Sequence, residues 1–168
     1  DDIRWHFIGD LQSNKAKYIA PFVSVVHSID SLNTAIELST RAKQAERIIP
    51  VLLEANISGE PSKHGVDVEK LNLLLSSVLK ECPGLKPIGL MGMAAFADDP
   101  DEIRSQFVRL RRARESLKKT HATVADFNAL SMGMSNDFEL AIREGATMIR
   151  VGSELFGEIG RASCRKEC

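Results

Sequence analysis

Short, continuously apolar runs alternate along this chain with longer stretches in which apolar residues recur at helical spacing. The runs cover residues 5–8, 24–29, 48–55, 88–94, 127–132 and 148–152. Most are apolar throughout, as strands of a parallel sheet buried on both faces should be. Between them, Val68, Leu71, Leu74, Leu75, Val78 and Leu79 keep a helical period until Pro83-Gly84 stops it. Ile103, Phe107, Leu110 and Leu117 do the same on the next segment. Asn136, with Glu139 three residues on, predicts a reciprocal cap for the last complete helix. No low-complexity segment or linker interrupts the alternation, so residues 1–157 are expected to form one domain of repeated βα units.

Composition narrows the class. The chain has 168 residues, 43% of them hydrophobic and 27% charged, with a net charge of -1. That is the profile of a globular domain and not of a disordered one. Near-neutral charge with 5% aromatics argues against a nucleic-acid surface, which needs a basic excess and stacking residues. The basic stretch Arg104, Arg109, Arg111, Arg112, Arg114, Lys118 and Lys119 is interleaved with helical apolar spacing and reads as a solvated helix face. No apolar run reaches the roughly 18 residues that span a bilayer, and the first residues resemble no signal peptide, so a cytoplasmic protein without a membrane partner is expected. Cys82 stands alone near a helix end and Cys164 and Cys168 lie in the last residues, which is neither a disulfide framework nor a metal pattern.

Candidate chemistry gathers toward the carboxyl end. Ser131-Met132-Gly133-Met134-Ser135-Asn136-Asp137 and Arg150-Val151-Gly152-Ser153 each carry a strand into small residues at the start of a helix. Backbone N–H groups in such turns can approach an anion closely. A (β/α)8 barrel binds phosphate with the loops after its seventh and eighth strands, where these two turns fall if the six runs are strands three to eight. A parallel βα array fits either an open doubly wound sheet or a closed barrel, and these two turns tip the balance toward an α/β (β/α)8 TIM barrel, incomplete, with about six of its eight βα units present. Such barrels run to about 200 to 250 residues, so an amino-terminal truncation is expected.

Several stretches carry a family resemblance. They are Trp5-His6-Phe7-Ile8-Gly9, Leu11-Gln12-Ser13-Asn14-Lys15, Glu60-Pro61-Ser62-Lys63-His64-Gly65, Gly89-Leu90-Met91-Gly92-Met93, Ser131-Met132-Gly133-Met134-Ser135 and Ile149-Arg150-Val151-Gly152-Ser153 with Phe156-Gly157. In this order they resemble the pyridoxal phosphate homeostasis proteins, single-domain barrels similar to the amino-terminal domain of alanine racemase. The resemblance implies pyridoxal 5'-phosphate (PLP) as cofactor, held on a Schiff-base lysine of an early strand. That lysine is expected in an amino-terminal segment before Asp1, because no lysine here ends a strand: Lys15 and Lys17 enter a helix, Lys63 sits in a polar loop and Lys86 precedes its strand.

The resemblance also implies that Met134, Ser135, Gly152 and Ser153 hold the cofactor phosphate and that Arg150 faces the pyridine nitrogen. It places His6 near the barrel mouth. Met91 and Asn56 are further cofactor candidates. Taken without the resemblance, His6 and Met91 read as core residues, and Asn14 and Asn56 stay open between capping turns and touching the cofactor. The implied function is a non-enzymatic PLP carrier or buffer in vitamin B6 homeostasis, a monomer whose further partners would be apo forms of PLP-dependent enzymes. Two alternatives stand beside it. One is a PLP enzyme such as an amino-acid racemase, although Tyr18, the only tyrosine, lies in an early helical segment. The other is a PLP-independent barrel enzyme acting on a phosphorylated metabolite, for which Glu54 is the one acidic residue inside a predicted strand. Residues 158–168 depart from the family pattern and read as a non-native tail.

Overall fold

All six apolar runs become strands. The computed structural model describes residues 2–60 and 64–157. Among them, one sheet contains β1 (His6–Phe7), β2 (Val25–Ile29), β3 (Ile49–Asn56), β4 (Val66–Asp67), β5 (Leu85–Gly92), β6 (Ala129–Met134) and β7 (Met148–Arg150). The helices are α1 (Ala16–Ile19), α2 (Leu32–Gln44), α3 (Leu71–Glu81), α4 (Pro100–Thr120), α5 (Phe138–Arg143) and α6 (Ser153–Phe156).

Topology separates a barrel from an open doubly wound sheet. The strands lie in the order β1-β2-β3-β5-β6-β7, parallel throughout, with the two-residue β4 pairing beside β3. A doubly wound sheet reverses its strand order at a switch point, and this one never does. Curvature is shown by one side-chain contact: His27 Nδ1 on β2 lies 2.9 Å from Ser131 Oγ on β6. Those strands are three steps apart in the sheet, about 14 Å if it were flat at the usual spacing of about 4.8 Å. The sheet must curl to bring them together. The fold is an incomplete (β/α)8 barrel with its helices outside.

Local chemistry accounts for where the two longest helices begin. Ser31 caps α2, its Oγ accepting from Thr34 N at 3.2 Å, and Asp99 caps α4 by accepting from Asp101 N at 2.9 Å, with Pro100 in the first turn. The buried faces of α2, α3 and α4 present Leu38, Leu75 and Phe107 to the outer side of the sheet, where they meet Val51, Leu53, Leu90 and Leu130. A much smaller apolar cluster, Val25, Leu52 and Met91 with Met93 and Ala129, lies apart from it.

Several expectations need correction. β4 was not foreseen, since two residues are too few to show a period; it makes Asp67 a second acidic residue within a strand. β5 begins at Leu85, so Lys86 sits inside its amino-terminal end, where it pairs with Asp126 at 2.5 Å. β6 starts at Ala129 and runs on to Met134. The reciprocal cap of Asn136 and Glu139 does not form; α5 starts after Asp137, whose Oδ1 accepts from Met134 N at 2.6 Å. Gly133, at φ +93, makes this packing possible, because a Cβ there would come 2.6 Å from the Cβ of Ala141. Leu79, counted on the apolar face of α3, is exposed. The basic face of α4 is more than solvated. Arg104 and Arg111 clamp the buried Glu144 at 2.6 and 3.1 Å, and Arg109 reaches Glu69 at 3.2 Å. The Arg104 hydrogen bond, against some burial, holds the Glu144 carboxyl below its ordinary range.

Candidate cofactor site

The two small-residue turns meet because β6 and β7 are neighbours, with Met134 opposite Arg150 in the register. Beyond the strand ends, Gly152 N donates to Ser135 Oγ over a long 3.3 Å. Ser153 opens α6, and the first N–H groups of a helix have no partner within it. A Cβ on Gly152 would meet nothing within 4 Å, so the space beside this turn is open. The Met134 amide already serves an anionic oxygen, that of Asp137.

One strand position below these turns, on the concave face, lies a continuous polar row. Arg150 Nη1 donates to Ser131 Oγ at 2.7 Å and Nη2 to the Gly92 carbonyl at 3.1 Å. Burial lowers the Arg150 pKa and the Asp137 and Glu54 carboxylates oppose this; the guanidinium stays cationic, as arginine does in proteins. Ser131 Oγ also lies 2.9 Å from His27 Nδ1, and His27 Nε2 lies 3.0 Å from His6 Nδ1. Burial, helped by the charges of His6 and Arg150, pushes His27 down to about 4. Burial and Arg4 lower His6 as well.

Glu54 shares this face, directly opposite Met91 in the β3–β5 register, as Met91 is opposite Ser131. It is 4% exposed. Burial raises its carboxyl to about 7, with Asp30 and Asp10 adding to the rise and His64 and Arg150 opposing it. Beside the strand ends, a groove of about 420 Å³ opens between residues 94–98, Ile103, Met134 and Leu140. Its loop is pinned to α4 by the bond from Ala95 N to Gln106 Oε1, 2.7 Å.

The profile of the alanine racemase N-terminal domain matches residues 4–159. A pyridoxal phosphate homeostasis protein of Aquifex aeolicus is 43% identical over 157 residues, covering 94% of this chain and 68% of its own. The chain belongs to the pyridoxal phosphate homeostasis protein family. A second member, from Pseudomonas aeruginosa, is 41% identical over 92% of this chain and 64% of its own, so the chain spans about two thirds of these relatives' lengths. Among solved structures, PipY of Synechococcus elongatus with PLP bound superposes with a TM-score of 0.84 at 34% identity, over 94% of this chain and 72% of that one.

Among the positions singled out by resemblance to the family, Met134, Ser135, Arg150, Gly152 and Ser153 come together at one end of the sheet. The others divide. Asn56 bonds within its own turn: its Oδ1 accepts from Gly59 N at 3.0 Å and from Ser58 Oγ, and its Nδ2 donates to the Glu60 carbonyl. Met91, 1% exposed, packs with Val25 and Leu52. His6 is exposed on the edge strand β1, not buried in the core, and is drawn in through His27. No motif in the sequence singles out His27, and Ser131 stands out there only as part of one. Their signal was polarity inside otherwise apolar strands, since each is buried. Residues 61–63 of the 60–65 motif, Lys63 among them, and the tail from residue 158 lie outside the described residues. Among the described residues, no helix is long and apolar enough to cross a membrane.

Proposed function

We propose that this chain forms the phosphate- and ring-holding part of a cytoplasmic, non-enzymatic carrier of PLP that acts in vitamin B6 homeostasis and passes the cofactor to apo enzymes. The observation that carries this reading is the half-buried Arg150 guanidinium, held by Ser131 and Gly92 directly beside the paired turns at Ser135 and Gly152. PipY, a relative at 34% identity, has PLP bound.

The residues present suit that cofactor. A phosphate dianion needs several convergent donors and room to approach. The Ser135 hydroxyl, the first amides of α6 with Ser153, and the open side of Gly152 offer both. The long bond from Gly152 N to Ser135 Oγ is one that an anionic oxygen would replace at little loss. The bound cofactor's pyridine ring supplies an electron sink, strongest when its nitrogen is protonated. Arg150 can only donate, so facing that nitrogen it would keep the proton off and leave the sink weak, which suits retention over turnover.

The test is borohydride reduction in the presence of PLP followed by peptide mass spectrometry, on this chain and on a form lengthened upstream to the span of its relatives. A single modified lysine in the added segment, with none specifically modified here, is the expected result. No specific adduct in either would reject the PLP reading. Phosphate recognition is checked separately: pyridoxal should bind at least tenfold more weakly than PLP, as expected for losing charge-assisted hydrogen bonds, and equal affinity would remove Ser135, Gly152 and Ser153 from the site.

A second reading rests on Glu54. A buried carboxyl near neutrality, on the face that carries Arg150, is the usual form of a general acid or base. An amino-acid racemase would lose its turnover in Glu54→Gln while still binding PLP. If no racemisation of any amino acid is found in the PLP-loaded protein, this reading is withdrawn.

A further inference from the structure

We infer that Ser131, His27 and His6 are positioning residues for Arg150, forming a one-way chain of hydrogen-bond donors across the barrel interior that fixes where the guanidinium points. This rests on the reading above for what Arg150 would face; the chain itself rests on geometry alone.

Its direction follows from hydrogen counting. Arginine has donors and no acceptor, so at the 2.7 Å contact Ser131 Oγ accepts. Ser131 is fully buried, and its own hydroxyl hydrogen needs an acceptor. Among the described residues, the atom in place for it is His27 Nδ1 at 2.9 Å. That nitrogen is then unprotonated, and the neutral ring carries its hydrogen on Nε2. From there it donates to His6 Nδ1 at 3.0 Å, which puts the His6 hydrogen on its own Nε2, toward the exposed edge. The opposite polarity would leave a buried hydroxyl donating to nothing.

The charges around the chain agree with this assignment. Arg4 faces His6, and Arg150 and His6 face His27, so each ring is disfavoured as a cation. The Asp137 and Glu54 carboxylates favour the charged Arg150, and Asp30, His64 and Asp10 act electrostatically on Glu54 in turn. Four elements thus contribute to the aim of one guanidinium: β1 and β2 through the histidines, β6 through Ser131, and β5 through the Gly92 carbonyl that accepts from Nη2.

Nitrogen-15 NMR of the histidine rings in the ligand-free chain at pH 7 tests the direction. His27 and His6 should both be neutral with hydrogen on Nε2. Finding His27 protonated on Nδ1 overturns the proposal, whether or not any variant folds. PLP affinity tests the consequence: Ser131→Ala should weaken it about tenfold, the scale of one hydrogen bond to a charged group, and release the His27 tautomer. Ser131→Thr, which keeps the hydroxyl, should restore both. A folded Ser131→Ala protein with unchanged affinity and an unchanged His27 ring also overturns the proposal. If the rings read as expected but the unsubstituted lengthened form holds no PLP, the donor chain is supported and the cofactor reading falls.

Discussion

The two faces of this sheet obey different rules. On the outer face, Leu38, Val51, Leu75, Leu90 and Phe107 pack against one another in a dry layer under the helices. On the concave face, Val25, Leu52 and Met91 form a small apolar floor, and above it His27, Glu54, Ser131 and Arg150 bring nitrogen and oxygen into the interior. The outer face holds the fold together through area removed from water, which is tolerant of detail. The inner face contributes little area. Its groups are retained only if each finds a partner or gives up its charge, so it specifies one arrangement and is sensitive to pH.

That contrast can be broken from either side. The largest effect is expected where the faces share a backbone: in Gly89→Ala the new Cβ would lie 2.0 Å from the Ala129 carbonyl oxygen, so β5 and β6 must part. A loss above about 4 kcal/mol in urea unfolding is expected. Phe107→Ala on the outer face should cost about 3–5 kcal/mol, with little change in PLP affinity per folded molecule. The inner face should show in the pH dependence instead. Because His27 is lowered to about 4, its neutral form favours the fold; stability falls as the pH drops from the unfolded value of 6.5 toward 4. The amount is on the order of 3 kcal/mol, and His27→Gln should flatten that slope. Glu54 has the opposite sign: raised to about 7, it stabilises most below its unfolded value of 4.5, and that contribution fades as the pH rises through 7. Glu54→Gln should remove this alkaline loss. Smallest of all, Lys70→Ala breaks an exposed pair with Asp67 at 2.7 Å and should leave the unfolding midpoint where it is.

How far these faces were legible in the sequence follows from what each is made of. The outer face is written in apolar period, and residues such as Leu75 and Phe107 declare themselves; only short pieces such as β4 escape. That β6 and β7 each run into small residues was legible too; one such run alone is more often an ordinary strand-to-helix turn, and it is the pair on successive strands that marks this end of the sheet. The partnership of His27 and Ser131 was not legible. Their bond joins residues 104 apart in sequence, and nothing local distinguishes a buried histidine with a partner from one without. Asp137 taking the Met134 amide was hidden for a related reason: the Asn136 and Glu139 spacing offered a familiar cap, and the strand reached further than its apolar run.

The strictly sequential strand order has a consequence for how such a chain matures. Apart from the short β4, each strand finds its place against the one made just before it, so synthesis can lay the arc down unit by unit with no early strand waiting for a distant partner. Among the described residues, the bridge from His27 to Ser131 joins strands three places apart in that order, so it can form only after β6 has been laid down. The row that aims Arg150 is therefore the last part to assemble, and a nascent or misrolled chain would have buried its leucines well before it could grip a ligand.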